Sequence, residues 1–353
     1  MKHRNYLTVG LCLAFVLVFS LWCFFIPTPD YSDSERRQLA DFPEISWQNI
    51  TSGKFAKDFE EYTTDRFPLR DTFRSIKAYA RLKLFLQKEN NDIYLKNGHI
   101  SKLEYPMNVN MLDYAASLFN KIQKEHFVNN KAYFAIIPDK NKYLAELKMD
   151  YAELENYMYS ALPFCTPIKI DDMLSANDYY FTDSHWKQEN ITDIAKFIAN
   201  SMGSDIPSDY ETLTLTTDFK GVYAGQSALK CKGDTIKYLT NDIIENFTVS
   251  GADAVYDMKK ANGKDPYEFF LSGNQPIVTI KNAKCENNKK LIVFRDSFAS
   301  SIMPINAQGY SEVVMVDLRY MNSALLEQYV DFSNSDVLFL YSASVLNNST
   351  SMK

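Results

Sequence analysis

The sequence LIVFRDSFASS, at residues 291–301, joins a short apolar run to a charged pair and then to small residues. This pattern predicts a buried β-strand that ends at Phe294 and a helix that begins near residues 299–301. In open α/β sheets, reacting groups gather at the carboxyl ends of the strands. Ser297 would therefore present its hydroxyl at the sheet edge, above the free N–H groups of a helix N-terminus. The alternative is that Asp296 or Ser297 only caps that helix.

Similar short apolar runs alternate with helix-length segments elsewhere in the chain. The runs lie at 131–137, 313–316 and 337–341, and amphipathic helices are predicted at 111–127 and 186–202. Nearly continuous apolar strands that alternate with helices are typical of a parallel sheet buried on both faces. We therefore predict an α/β domain with a mainly parallel sheet over 91–353. The more polar stretch 205–282 predicts a β-rich insertion at the rim of that sheet.

Two different segments precede this domain. Residues 30–90 predict a membrane-proximal helical segment, because Phe55, Phe59 and Tyr62 share one helix face. Residues 6–26 carry no charge, and a helix of that length covers roughly the 30 Å of bilayer hydrocarbon.

Basic residues precede the uncharged run and acidic residues follow it. This asymmetry predicts a cytoplasmic tail and a transmembrane signal anchor over 1–29, with the remaining chain outside the cell. A single-pass cell-membrane protein with an extracellular domain is the expected result. A cleaved signal peptide and a buried core helix are the alternatives.

The composition excludes several classes of protein. With 353 residues, 46% apolar and 23% charged, the chain is globular, and a net charge of −6 argues against a nucleic-acid partner. A zinc site is disfavoured, since none of the four histidines pairs with a cysteine at ligand spacing, and we expect neither a metal nor a cofactor. A disulfide between Cys231 and Cys285 is allowed, although sequence cannot judge its geometry.

A serine nucleophile needs a base, and His185 is the best placed of the four histidines. Residues i and i+2 of an extended chain point the same way, so Asp183 could hold the His185 ring and fix its tautomer. The alternative is that Asp183 or Ser184 caps a helix that begins near Trp186.

Three groups of motifs carry a family resemblance. The first group is SERR at 34–37, followed by Leu39-Ala40, Phe42-Pro43, Gly53-x-Phe55 and Asp65-x-Phe67-Pro68-x-Arg70. The second group is TDSHW at 182–186. The third group is SGN at 272–274, with RDSF at 295–298 and VDLRY at 316–320. Together they resemble the DHHW family of bacterial envelope proteins and, more distantly, the alginate O-acetylation proteins that carry an SGNH-hydrolase-like domain. The resemblance implies an SGNH-hydrolase-like (flavodoxin-like) three-layer domain.

The resemblance also implies roles for particular residues. Ser297 would be the nucleophile, His185 the base and Asp183 the orienting acid, in an order permuted from that of common SGNH esterases. Oxyanion or substrate-binding groups would come from Asn274 or the Gly273 amide; these and Arg295 are the further candidate site residues. The sequence departs from the family patterns at Arg295, where SGNH esterases have glycine, and at Ser184, where the DHHW name implies histidine.

The implied reaction is acyl transfer to a polysaccharide, with acyl groups supplied through a multi-spanning membrane-bound O-acyltransferase. Two alternatives remain open from the sequence. One is a carbohydrate esterase that removes acyl groups from a wall polymer, and the other is a non-catalytic envelope scaffold.

Overall fold

The structure is a computed structural model that describes the backbone at residues 2–25 and 29–353, without the side chains at 2–5, 23 and 24. The predicted anchor at 6–26 therefore lies partly outside the described residues. Its described part belongs to the helix Lys2–Phe25. No helix within the described residues is long and apolar enough to cross a membrane.

The chain divides into two compact units, which consist of Met1–Tyr94 with Val222–Cys231 and of Leu95–Gly221 with Lys232–Lys353. The helices of the described residues are α1 Lys2–Phe25, α2 Trp47–Thr51, α3 Lys54–Asp65, α4 Arg70–Tyr79, α5 Val109–His126, α6 Asn141–Leu144, α7 Tyr151–Ala161, α8 Thr192–Ser201, α9 Val222–Ser227, α10 Asp242–Glu245, α11 Ala299–Asn306 and α12 Ala343–Leu346. The strands are β1 Tyr31–Ser32, β2 Arg37–Gln38, β3 Ile93–Lys96, β4 His99–Lys102, β5 Ala132–Ile137, β6 Cys165–Pro167, β7 Glu211–Phe219, β8 Asp234–Thr240, β9 Thr248–Ser250, β10 Ile277–Lys281, β11 Lys290–Arg295, β12 Glu312–Val316 and β13 Ser335–Ser342.

The second unit is built around a seven-stranded sheet in the order β6-β5-β13-β11-β12-β10-β9. The first five strands in that order are parallel, and β10 and β9 extend the sheet in antiparallel pairing. Phe294 of β11 pairs with Val316 on one side and Phe339 on the other. The predicted α/β architecture with a mainly parallel sheet is therefore confirmed.

The order of the parallel strands explains the permuted order of the motifs. Numbered along the chain, the five parallel strands lie in the order 2-1-5-3-4, which differs from the flavodoxin-like order. Numbered cyclically from β11, however, they lie in the order 2-1-3-4-5, which is the flavodoxin-like order. In the cyclic numbering, β5 is the fourth strand, and it is the first strand of this sheet along the chain. The first strand in that numbering, β11, which leads to Ser297, therefore comes late in the sequence.

Alternating side chains of the central strands build two hydrophobic clusters. Leu291 and Val293 belong to the cluster with α8 and α11, whereas Ile292 and Phe294 belong to the cluster with α5 and α7. Helices therefore cover both faces of the sheet, which gives three layers. Truncating the fully buried Phe294 to alanine would cost about 3–5 kcal/mol of stability, because a cavity would remain between these layers.

Two sequence expectations are corrected by the structure. The helix predicted at 186–202 is shorter, since a single 3₁₀ turn at Gln188–Asn190 precedes α8. The disulfide allowed at Cys285 is not formed, because the Cys285 thiol is free and donates a 3.2 Å hydrogen bond to Asn287 Oδ1. Within the predicted insertion at 205–282, β7 and β8 form a separate two-stranded sheet, and β9 and β10 join the central sheet.

Candidate active site

Ser297 lies in the turn between β11 and α11. The fully buried Asp296 holds this turn, since its Oδ1 accepts from the Phe298 amide at 3.0 Å and its Oδ2 from the Ser342 amide at 2.7 Å. The N-cap residue of α11 is Phe298, and it makes no side-chain capping bond. Asp296 Oδ1 thus makes the bond that is typical of a helix-capping aspartate, to the amide two residues on, so the cap alternative holds for Asp296. It does not hold for Ser297, whose hydroxyl bonds a side chain outside the helix.

Asp183 and His185 lie in a tight loop rather than in the extended chain that the sequence suggested. The loop is closed by a bridge between Tyr179 and Trp186 and by a 3.1 Å hydrogen bond from the Tyr180 amide to the His185 carbonyl. Within it, Asp183 Oδ1 accepts from the His185 amide at 3.0 Å and lies 2.6 Å from His185 Nδ1. The carboxylate therefore fixes both the backbone and the ring of the histidine.

The loop and the turn bring three predicted residues together. His185 Nε2 lies 2.8 Å from Ser297 Oγ, and the opposite ring nitrogen faces Asp183. Because ionised Asp183 only accepts hydrogen bonds, Nδ1 carries the proton and Nε2 is left to accept the serine proton. The side chain of Asp183 is 2% exposed and that of His185 is 14% exposed. The site can therefore admit a reactant at the serine while its acid stays buried.

Side chains from other parts of the second unit hold the segment that leads into Asp183. Asp234 Oδ1 accepts from the Phe181 amide at 2.7 Å, and its Oδ2 accepts from the amide and hydroxyl of Thr182 at 2.8 and 2.6 Å. On the carbonyl side, Lys140 Nζ donates to Tyr180 at 3.0 Å and to Phe181 at 3.2 Å. The loop therefore has charged supports at both its amides and its carbonyls.

Burial makes these supports sensitive to their surroundings. Burial lowers the pKa of Lys140 to about 7, although the nearby carboxylates of Asp183 and Asp234 act in the opposite direction.

Gly221 lies directly against the loop and donates from its amide to Thr182 Oγ1 at 2.9 Å. A Cβ at Gly221 would lie 2.2 Å from Asp183 Cβ and 2.5 Å from Asp183 Oδ2, so this position has no room for a side chain.

Tyr267 connects the loop with the helix that follows the serine. Its ring stacks on the His185 imidazole with 3.9 Å between centroids and 13° between planes. Its hydroxyl donates to Ser301 Oγ at 3.0 Å, and Ser301 Oγ also accepts from Trp186 Nε1 at 2.9 Å. Tyr267 therefore restrains the imidazole ring on one face.

Sequence reasoning missed four of these supporting residues, namely Lys140, Gly221, Asp234 and Tyr267. Lys140 had a usable signal, because it follows shortly after the apolar run at β5, where the strand-end rule applies. The other three carry no local signal, since their contacts with the loop join positions far apart in the sequence.

The structure does not bring the other predicted residues to Ser297. The Gly273 amide donates to the Phe270 carbonyl at 3.2 Å, and the Asn274 side chain is exposed. Among the hydrogen bonds of the described residues, none joins Gly273 or Asn274 to Ser297. Arg295 is fully buried and donates to Ser300 Oγ at 3.1 Å, and burial lowers its pKa. A substrate cannot reach Arg295 in this arrangement.

Two solved structures share this fold, and a third is less similar. A DHHW family protein from Eubacterium siraeum is 19% identical, with a TM-score of 0.60 over 75% of this chain and 97% of that chain. Bacillus cereus PatB1 with a sulfonyl adduct is 23% identical, with a TM-score of 0.59 over 74% of this chain and 97% of that chain. The O-acetyltransferase domain of Pseudomonas putida AlgJ is 11% identical, with a TM-score of 0.45 over 73% and 93% of the two chains.

No protein-family model and no curated protein matches the sequence. The resemblance to the DHHW family that the motifs indicated is confirmed at the level of the fold, by the solved DHHW family protein from Eubacterium siraeum.

Proposed function

We propose that this chain is a serine acyltransferase that O-acetylates a cell-surface or exported polysaccharide. The observation that carries the proposal is the hydrogen-bonded series from Asp183 through His185 to Ser297, at 2.6 and 2.8 Å. These distances suit direct proton transfer between the serine hydroxyl and the imidazole. The turn between β11 and α11 supplies the second requirement, because the N-terminus of α11 favours negative charge beside the serine.

The reaction would proceed in two steps. His185 Nε2 takes the Ser297 proton as the serine oxygen attacks an acyl ester, and Asp183 stabilises the imidazolium. The ester C–O bond then breaks, the leaving oxygen takes the proton from His185, and the acyl group remains on Ser297. In the second step, His185 takes a proton from a sugar hydroxyl as that oxygen attacks the acyl carbon. The bond between the acyl carbon and Ser297 Oγ then breaks, and Oγ takes the proton back from His185.

The fold comparison supports this chemistry. PatB1, which shares the fold, carries a sulfonyl adduct, and sulfonylating reagents react with activated nucleophiles.

Further parts of the proposal rest on the sequence. The uncharged run at 6–26 and its charge asymmetry support a location outside the cell membrane, where a multi-spanning membrane-bound O-acyltransferase would supply acyl groups.

The test is to incubate the full chain with a chromogenic acetyl ester, with and without an oligosaccharide acceptor, and to follow ester cleavage and acylated sugar. We expect a Ser297-acyl intermediate by mass spectrometry and sugar acylation that Ser297→Ala abolishes, with a loss of about a thousandfold or more. The matched control is Ser208→Ala, which changes an exposed serine outside the site.

Two results would overturn the proposal. Release of free acetate without any acylated sugar would make the chain an esterase that uses the same residues. Ester turnover and sugar acylation that both survive in a folded Ser297→Ala variant would remove the catalytic role altogether and favour the scaffold alternative.

A further inference from the structure

A second surface, in the first compact unit, has a chemistry of its own. The segment FRSIKAYARLKLFLQK at 73–88 contains five basic residues and no acidic residue, in a chain whose net charge is −6. It covers most of α4, the π-helical turn Ala80–Leu84 and the residues that follow. This local charge is opposite in sign to that of the whole protein.

The same segment exposes large apolar side chains. Ile76, Tyr79, Leu84, Phe85 and Leu86 are 59%, 63%, 66%, 68% and 79% exposed. A helix that packs on a globular unit needs one apolar stripe, and here Ala78 and Leu82 already supply it, since both are buried. The exposed apolar residues form a second stripe that packing within the described residues does not use.

Helix geometry separates the two stripes and places the basic residues between them. At about 100° per residue, Phe73 and Ile76 lie roughly 140° and 160° from Ala78, and Tyr79 lies at the edge of the exposed stripe, about 100° from Ala78. Lys77 and Arg81 lie about 40° and 80° from Phe73, between the exposed stripe and Ala78. An exposed apolar face with lysine and arginine at its edge is typical of a helix that lies in the plane of a membrane interface.

The exposed stripe is continuous with a further apolar surface. Phe19 of α1 stacks on Phe67 with 5.2 Å between centroids and lies 6.2 Å from Phe73. Beyond this contact α1 exposes only apolar or uncharged side chains among residues 6–22, such as Leu11 at 63% and Leu17 at 59%. Contact with lipid acyl chains would therefore be more favourable than contact with water for both surfaces.

We propose that the segment 73–88 binds the surface of a lipid bilayer that contains anionic lipid. Its apolar stripe enters the interface at acyl-chain level, and Lys77 and Lys83 face the phosphate groups, whereas Arg81 is paired with Glu89 at 3.6 Å. This surface would hold the first unit against the membrane independently of the reaction proposed for Ser297.

The experiment uses the full chain in vesicles of phosphatidylcholine, alone or mixed with phosphatidylglycerol. Tryptophan is introduced by Tyr79→Trp or Phe85→Trp, and the matched control is Thr64→Trp, which is exposed on α3 in the same unit but outside the segment 73–88. The readouts are fluorescence quenching by brominated lipid and by aqueous acrylamide, after subtraction of the parent signal.

We expect brominated lipid to quench Tyr79→Trp and Phe85→Trp at least about twofold more than Thr64→Trp, with the opposite order for acrylamide. Lys77→Glu with Lys83→Glu should reduce lipid quenching in vesicles with phosphatidylglycerol and leave it unchanged in phosphatidylcholine. Leu86→Trp, at a 79% exposed position, replaces either variant if that variant fails to fold.

Three outcomes would overturn the proposal. If acrylamide reaches all three positions equally, the stripe lies in water. If neither quencher reaches positions 79 and 85, a protein partner or a second copy of the chain covers them. Equal lipid quenching with and without phosphatidylglycerol would remove the anionic lipid from the proposal.

Discussion

The turn that carries Ser297 and the loop that carries Asp183 and His185 are built in different ways. The turn joins a central strand to a helix, so its position follows from regular backbone structure on both sides. The loop lies between short 3₁₀ turns, and it is held by Asp234, Lys140 and the lack of a side chain at Gly221. Half of the site thus depends on the sheet, and the other half depends on side chains that take no part in the proposed reaction.

This difference predicts that a small change beneath the loop impairs the site strongly. Gly221→Ala would place a Cβ 2.2 Å from Asp183 Cβ, so Asp183 must move and the His185 ring loses its orientation. We expect kcat to fall about a hundredfold or more, because catalytic groups tolerate little displacement. Ester turnover and the circular dichroism spectrum of the variant would be measured together.

The matched control is Gly263→Ala, whose Cβ would lie 3.1 Å from the nearest atom, the carbonyl oxygen of Lys260. This variant should keep near-normal turnover. If Gly221→Ala is folded and as active as Gly263→Ala, the loop adapts easily and the contrast with the turn is wrong.

The carboxylates on the two sides of the comparison allow a sharper test. Asp234→Asn retains the shape of the side chain, but its amide group presents a donor where the carboxylate accepts from Phe181 and Thr182. We expect kcat to fall about tenfold to a hundredfold with KM changed by less than about twofold, because the loop shifts while the substrate surface is retained. Steady-state kinetics would separate the two constants.

Asp296→Asn makes the same chemical change in the turn, where the carboxylate accepts from two amides. In this variant we expect both a loss of activity and a loss of stability of about 1–3 kcal/mol, because a fully buried side chain loses a hydrogen bond to a backbone amide. Asp209→Asn, at an exposed carboxylate, is the control for both variants. An unchanged kcat in folded Asp234→Asn would show that its hydrogen bonds do not position Asp183.

The same contrast explains how much the sequence could predict. The strand before Ser297 was predictable because four apolar residues in a row are typical of a strand buried on both faces, and β11 is such a strand. The pairing of Asp183 with His185 was predicted from extended geometry, whereas the structure achieves it through a bend in which Oδ1 meets both the amide and the ring. The two side chains meet as expected, but the extended backbone predicted for them is wrong.

Other features lay beyond local sequence patterns. Gly273 and Asn274 are residue types that are common in turns, and only the three-dimensional structure shows the Gly273 amide bonded to the Phe270 carbonyl. Asp234 and Tyr267 meet the site across 52 and 34 residues of chain, in their bonds to Thr182 and Ser301. Periodicity reports which face of an element is buried, and it carries no information on such distant contacts.

Tyr267 touches both halves of the site, so its variants test whether the two halves act together. Tyr267→Phe retains the ring over His185 and loses the hydroxyl bonds to Ser301 Oγ at 3.0 Å and to the Ser297 carbonyl at 3.4 Å. We expect less than about a threefold loss of kcat. Tyr267→Leu also loses the stacked ring, and we expect about a tenfold loss. Equal losses in the two variants, measured by steady-state kinetics, would assign the effect to the hydroxyl and contradict a role for the stack.

The smallest expected effect concerns acid stability beneath the loop. His99 is buried and packs against Phe181, with 4.4 Å between ring centroids and 33° between ring planes. Burial, with Lys140 and Lys187 nearby, lowers its pKa from 6.5 to about 4. Between these two pKa values, His99 is protonated in the unfolded chain but neutral in the folded chain. The folded state is therefore destabilised as the pH falls from 6.5 towards 4, by at most about 3 kcal/mol. His99→Gln should flatten this part of the stability profile in urea unfolding from about pH 7 to about pH 4. Since other buried acids titrate in the same range, the difference between the two proteins is the quantity to compare, and parallel profiles would place the acid sensitivity elsewhere than beneath the loop.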